Sequence, residues 1–140
     1  MAKQMNGESK LLTLLQNMRP ELQDGEFVFC SLEPAVASEL GLLPIGQFLE
    51  EEGLTLILAK DEAEANHLDF TFPCRKITLK VHSSLEAIGL LAVVTEKLAE
   101  HGISVNAISA YFHDHLFVPS DKAEDAMRVL GDVVEQSLRS

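Results

Sequence analysis

A chain of 140 residues suits one compact domain or two very small ones, and its 46% hydrophobic and 24% charged residues are enough to bury a core. With 22 acidic residues against 11 basic ones, the net charge of −11 leaves no basic stripe for a phosphate backbone and argues against a nucleic-acid partner. No apolar run approaches a membrane span and no secretory core follows Met1-Ala2-Lys3-Gln4; Cys30 and Cys74 are too few for a disulfide framework and lack metal spacing, so a reducing cytoplasm is the expected home.

Residues 1–8 are polar, and Ser9 can cap a short helix with Leu11, Leu15 and Met18 on one face, stopped by Pro20. Asp24-Gly25 signals a turn. Phe27-Val28-Phe29-Cys30 is a continuous apolar run, the mark of a strand buried on both faces. Glu33-Pro34 opens a helix over 35–40, because proline fits the first helical position, and Gly41 closes it. Residues 43–50 and 54–59 read as a hairpin around Glu51-Glu52-Gly53. Asp61 then opens a short helix with Glu64 as its capping partner. Leu68, Phe70 and Phe72 alternate through the connector 66–73 and can add a strand.

In the second half, Ile77, Leu79 and Val81 alternate with Thr78, Lys80 and His82, the period of a half-buried strand. From Gly89 the period becomes helical: Leu91, Val94, Thr95 and Leu98 share a stripe, with Leu90 and Val93 broadening the apolar surface. Gly102 suits the left-handed residue that ends a helix, and Ile103 and Val105 resume alternation. His113-Asp114-His115 sits where a hairpin tip is needed. A final helix runs from about 121 to 138, with Ala123, Ala126, Met127, Leu130, Val133 and Val134 on one face.

The halves repeat. Cys30-Ser31-Leu32-Glu33 lines up with Ser83-Ser84-Leu85-Glu86, and the segment 55–61 with 115–121, each ending in Asp-x-x-Glu (Asp61 with Glu64, Asp121 with Glu124). The stretch GLLAVVTEKLAEHGISVN, residues 89–106, resembles the first helix and second strand of an ACT domain, and the likeness extends over 77–130. The resemblance implies an α+β, ferredoxin-like fold of antiparallel strands with helices on one face, here two interlocked βαββα units. The first, degenerate unit spans 1–73 with a leading helix, and the second spans 74–140. An ACT unit needs a fourth strand after its last helix, and none follows residue 138. The resemblance therefore implies an edge strand supplied from elsewhere in the chain, as in the interlocked units of aspartokinase regulatory regions.

Two readings of Ser83-Ser84-Leu85-Glu86 stand side by side: a capping box, and a ligand loop. In ACT domains the loop between the first strand and first helix, with the glycine opening that helix, meets the ligand. The resemblance thus assigns His82, Ser83, Ser84, Leu85, Glu86, Ala87, Ile88 and Gly89 to a binding site. The Asp-x-Pro that often precedes the glycine is here Glu86-Ala87-Ile88. Asn106 joins the site on the second strand, where its amide can meet an α-ammonium and an α-carboxylate, or it makes only a local bond. His113 and His115 invite a metal but lack a third ligand beyond His82, so no metal is assigned. Cys74 beside Arg75 has no positioned base and reads as an inert thiol. With no nucleophile elbow, phosphate loop or paired carboxylates, no enzyme activity and no cofactor are expected. The reading is a regulatory sensor of a small molecule, an amino acid by resemblance, forming a homodimer or larger homo-oligomer and acting through an unidentified protein partner. The alternative is a ligand-free oligomerisation or interaction module.

Overall fold

The longest strand, β5 (Thr71–Lys80), has neighbours along both edges, and the rest of the chain is hung from it. The structure is a computed structural model that describes residues 7–81 and 87–139, with side chains from residue 10 onward. The elements are α1 (Gly7–Asn17), β1 (Arg19–Leu22), β2 (Phe27–Leu32), α2 (Pro34–Leu40), β3 (Gly46–Glu50), β4 (Gly53–Ala59) and α3 (Lys60–Ala65). After β5 come α4 (Leu90–Glu100), β6 (Asn106–Ser109), β7 (Asp114–Pro119), a single 3₁₀ turn (Ser120–Lys122) and α5 (Ala123–Leu138).

All seven strands belong to one antiparallel sheet, ordered β3-β4-β2-β5-β7-β6, with β1 also paired to β5. β7 takes one edge of β5 from Cys74 to Leu79. On the other edge β2 pairs near Thr71 and Cys74, and β1 pairs from Ile77 to Lys80, end to end with it. Each half therefore has the ferredoxin-like strand order. The first half of β5 is the fourth strand of the N-terminal unit, and its second half is the first strand of the C-terminal unit. The missing fourth strand of the C-terminal unit is β1.

Between those two uses β5 carries a bulge. Phe27 pairs with Cys74 but Phe29 with Thr71, so three steps on β5 oppose two on β2, and Phe72 takes a left-handed φ of 59°. A bulky side chain in that region costs on the order of 1–3 kcal/mol. It is offset by packing on the sheet face that carries no helices, where Phe72 meets Phe29 edge to face at 5.8 Å and Phe29 meets Phe117 at 5.9 Å. Cys74 and Ile57 are buried with these rings. The sheet curls so far that a methyl group on Gly46 of β3 would come within 3.9 Å of Ile108 on β6, the strand at the opposite edge.

The opposite face holds the helices. Ile77, Leu79, Leu116 and Val118 pack there against Leu90, Val94 and Leu98 of α4 and Ala126, Leu130 and Val133 of α5. α1 lies over this layer through Leu11, Leu14, Leu15 and the fully buried Met18, with Gln16 donating to the carbonyl of Ser137 at 3.1 Å. In the N-terminal unit, Val28, Cys30, Leu56, Leu58 and Ala63 form a smaller core under α2 and α3. Glu26 ties the units together, accepting from Ser120 Oγ at 2.6 Å and facing Lys60 at 3.5 Å; the Ser120 bond leads the causes that hold its carboxyl below the usual range.

Several expectations shift. Pro20 does not merely end α1; it sits inside β1, tolerated because that strand pairs on one edge only. Neither Asp61 nor Asp121 caps a helix: α3 begins at Lys60 after Ala59, and the 3₁₀ turn begins at Ser120, neither with a side-chain cap. The hairpin tip is Tyr111-Phe112, closed by the Ala110 amide on the His113 carbonyl, whereas Asp114 and His115 lie within β7. The strand expected from Ile103 and Val105 begins at Asn106, with Ile103 buried in the helical core instead. Leu90 is buried and Val93 half-buried against that core, so α4 offers no second apolar face.

Candidate functional site

α4 opens on Gly89, whose φ of 98° only glycine adopts without strain, and its carbonyl accepts from the Val93 amide. A glycine has no side chain with which to cap, so the N-cap residue leaves the first-turn amides at the positive end of the α4 dipole without a side-chain acceptor of its own. That side is close to α1: a methyl group on Gly89 would stand 3.2 Å from Leu11 Cδ2. Ala87 and Ile88 precede it, both exposed. His82, Ser83, Ser84, Leu85 and Glu86 lie outside the described residues.

Asn106 is exposed on β6, paired with Phe117, which is paired in turn with Lys76. This register sets it four residues short of Lys80, whereas Gly89 lies beyond the end of β5. Within one unit the two therefore occupy opposite ends of the sheet. Asn106, Ile108, His115 and Phe117 share the face without helices, since residues directly opposite in an antiparallel pair point the same way.

His115 Nδ1 is 3.0 Å from Thr78 Oγ1, its direct cross-strand partner. Burial, then the positive charge of Lys76, holds its imidazole below the usual value of 6.5. Among the described residues no three His, Cys, Asp or Glu side chains gather as a metal site would require. Cys74 is fully buried, its Sγ donating to the carbonyl of Phe27 at 3.3 Å. Burial, helped by Glu26, pushes its pKa up to about 12, so Arg75 does not activate it.

One feature escaped the sequence reading. An open groove of about 580 Å³ runs between the last turn of α1 and the paired ends of β1 and β5, lined by Thr13, Leu14, Gln16, Asn17, Arg19, Lys80 and Val81. Its only sequence signal is Arg19, the last basic residue before Lys60.

Two ACT domain models match the chain, one over residues 6–75 and the other over 71–132. They overlap at 71–75, on the bulged end of β5. The sequence matches none of the curated proteins. Among solved structures, a Vibrio cholerae protein of unknown function is 46% identical, with a TM-score of 0.83 over 92% of this chain and 99% of its own. An Agrobacterium tumefaciens protein is 18% identical, with a TM-score of 0.68 over 84% and 89%. The ligand-free regulatory subunit of aspartate kinase from Thermus thermophilus is 11% identical, with a TM-score of 0.63 over 84% and 96%, a likeness of fold. The chain belongs to the ACT domain family, as two ACT-type units that share β5.

Proposed function

We propose that this chain is a non-catalytic regulatory protein of the reducing cytoplasm that binds a free amino acid and signals through another protein. The observation that carries this reading is α4 opening on Gly89 in a matched ACT-type unit. A helix N-terminus whose own N-cap residue brings no side chain suits a ligand carboxylate through amide donors and dipole alike. In this reading the 82–89 loop holds the carboxylate, and Asn106 serves the ammonium from a neighbouring copy, because one unit keeps the two at opposite ends of its sheet. The second copy would cover the helix-side edge of the N-terminal unit, where Val36, Leu40, Leu43, Ile45, Phe48 and Leu49 are exposed. Glu33, Glu39, Glu50, Glu51 and Glu52 surround those residues in sequence with no basic residue among them. Association through this face should then strengthen with added salt, which screens the acidic rims.

A thermal-shift screen of the twenty amino acids tests the ligand, since one that binds only the folded state must raise the midpoint. Asn106→Ala should weaken the responding amino acid by about 1.5–3 kcal/mol in calorimetry without loss of stability. Gly89→Asp should abolish binding, but its positive φ and the close Leu11 predict a stability loss as well, so Asn106→Ala is the cleaner variant. Full affinity in Asn106→Ala would refute the site. Sedimentation at low and high salt tests the dimer, and a 15.4 kDa species under both would exclude it. A salt-strengthened dimer with no responding amino acid would favour a ligand-free interaction module.

A further inference from the structure

We infer that the amino acid met by Asn106 is one with an acidic side chain, aspartate or glutamate, and that Lys76, on the same face of the sheet, selects it. The inference rests on the reading that Asn106 serves the ammonium, and adds the class of ligand to it. Register sets the two residues in one row. Asn106 is opposite Phe117 and Phe117 opposite Lys76, so all three stand on the face without helices. Two strand spacings separate the outer two by about 10 Å, a gap that a lysine side chain and a dicarboxylic amino acid can close between them. Phe117 in the middle is buried and brings no polar group to the row. A ligand whose ammonium sits at Asn106 therefore meets one charged side chain along that row, the Lys76 ammonium.

The neighbouring rows carry the same sign. On β1, β5, β6 and β7 this face holds Arg19, Lys76, Lys80 and His115 against one carboxylate, Glu21, which lies opposite Thr78 at the far edge. In a chain with 22 acidic and 11 basic residues, that inverts the overall charge. Lys60, Lys97, Arg128 and Arg139 each face a carboxylate, but Arg19, Lys76 and Lys80 form no ion pair among the described residues. Arg19 and Lys80 are direct cross-strand partners, an arrangement that repels. Lys76 Nζ lies 6.0 Å from the centre of the Phe27 ring, the outer limit of a cation–π contact, so little is lost when it turns to a carboxylate. His115, one row from Asn106, feels the same field. Burial first, then Lys76 and His113, with Lys80 behind them, act against its protonation, and Asp114 favours it. An acidic ligand side chain relieves this repulsion, a neutral one leaves it as it is, and a basic one adds to it.

The test is calorimetry on the full chain at low salt with glutamate, aspartate, glutamine, asparagine and lysine. Each acid should bind at least about tenfold tighter than its own amide, with lysine weakest. Lys76→Gln should remove that preference without lowering the denaturant midpoint, and Lys76→Glu should reverse the order in favour of lysine. Asn106→Ala should weaken acids and amides alike, and Lys122→Gln, exposed elsewhere, should change neither. A carboxylate on this face should also raise the pKa of His115, followed by NMR of its ring protons, in the parent and not in Lys76→Gln. Preference for a neutral or basic amino acid overturns the inference and leaves the amino-acid reading standing. Acid selectivity that survives Lys76→Gln, or a bound acid that leaves His115 unmoved, overturns it as well. If none of the twenty amino acids binds, the reading itself falls and the inference with it.

Discussion

The two units share a strand order but not a helical layer. In the C-terminal unit, α4 and α5 run 11 and 16 residues, α1 lies over them, and among the described residues 14 buried ones form the core. In the N-terminal unit, α2 and α3 run 7 and 6 residues, α2 buries none of its own, and the core has five buried residues. The same sheet topology thus accepts very different cover. Where the cover is deep, apolar surface goes into stability. Where it is thin, apolar surface on α2, β3 and the loop between them stays in contact with water and is free for a partner.

The severest way to break this comparison is to remove what the C-terminal unit borrows. Residues 75–140 expressed alone lack β1, α1 and Met18, leaving one edge of β5 and the top of α4 and α5 bare. The expected product is aggregated or molten, and a well-dispersed, cooperatively folding monomer by NMR would disprove the dependence. A milder contrast sets one residue from each helical layer side by side in denaturant unfolding. Leu98→Ala in α4 should cost about 2–5 kcal/mol, because its site is fully buried. Val36→Ala in α2, 42% exposed, should stay within about 0.5 kcal/mol. Equal costs would mean the thin layer stabilises as much as the thick one.

The smallest effect concerns pH. In the repeat, His115 corresponds to Thr55, so only the C-terminal unit carries a titrating group at this point of the sheet. Burial and Lys76 depress the His115 pKa in the folded state, so as pH falls the unfolded chain takes up the proton first. The stability contributed by neutral His115 is fully present above the usual 6.5 and is lost as pH falls from there towards the folded value. His115→Gln should therefore flatten the slope of the denaturation midpoint between about pH 7 and about pH 5. An unchanged slope would show that the ring keeps its ordinary pKa.

Much of this fold was legible because burial leaves a period in the residues. Val28 and Cys30, Ile77 and Leu79, and the stripe from Ala123 to Val133 face the cores that their spacing implies. The glycines at 41 and 102 end their helices in left-handed conformations, as glycine after an apolar stripe suggests. β1 was illegible for the complementary reason. Arg19-Pro20-Glu21-Leu22 is a four-residue edge strand without a fully buried side chain, so pairing with β5 alone defines it, and pairing leaves no period to read. The His113-Asp114-His115 tip failed likewise, because Asp114 and His115, which look like a turn, lie in β7, where His115 meets Thr78 across the strands, while the aromatic pair takes the solvent. As for the proposed site, the resemblance supplied Gly89 and Asn106, but their separation across the sheet is a matter of register, which no spacing along the chain reveals. The groove depends on a cross-strand neighbour 61 positions away, Arg19 with Lys80, and was beyond local reading altogether.

The placement of β1 also sets an order of events during synthesis. α1 and β1 leave the ribosome before the elements that hold them, since β1 needs a berth on β5 and α1 one over α5, so both must wait until residue 138 has been made. The N-terminal unit can close its strands β2, β3 and β4 in the meantime, and α1 and β1 dock after them. A nascent chain arrested before residue 123 should expose Leu11, Leu14 and Leu15 to chaperones, and synthesis of α5 should withdraw them.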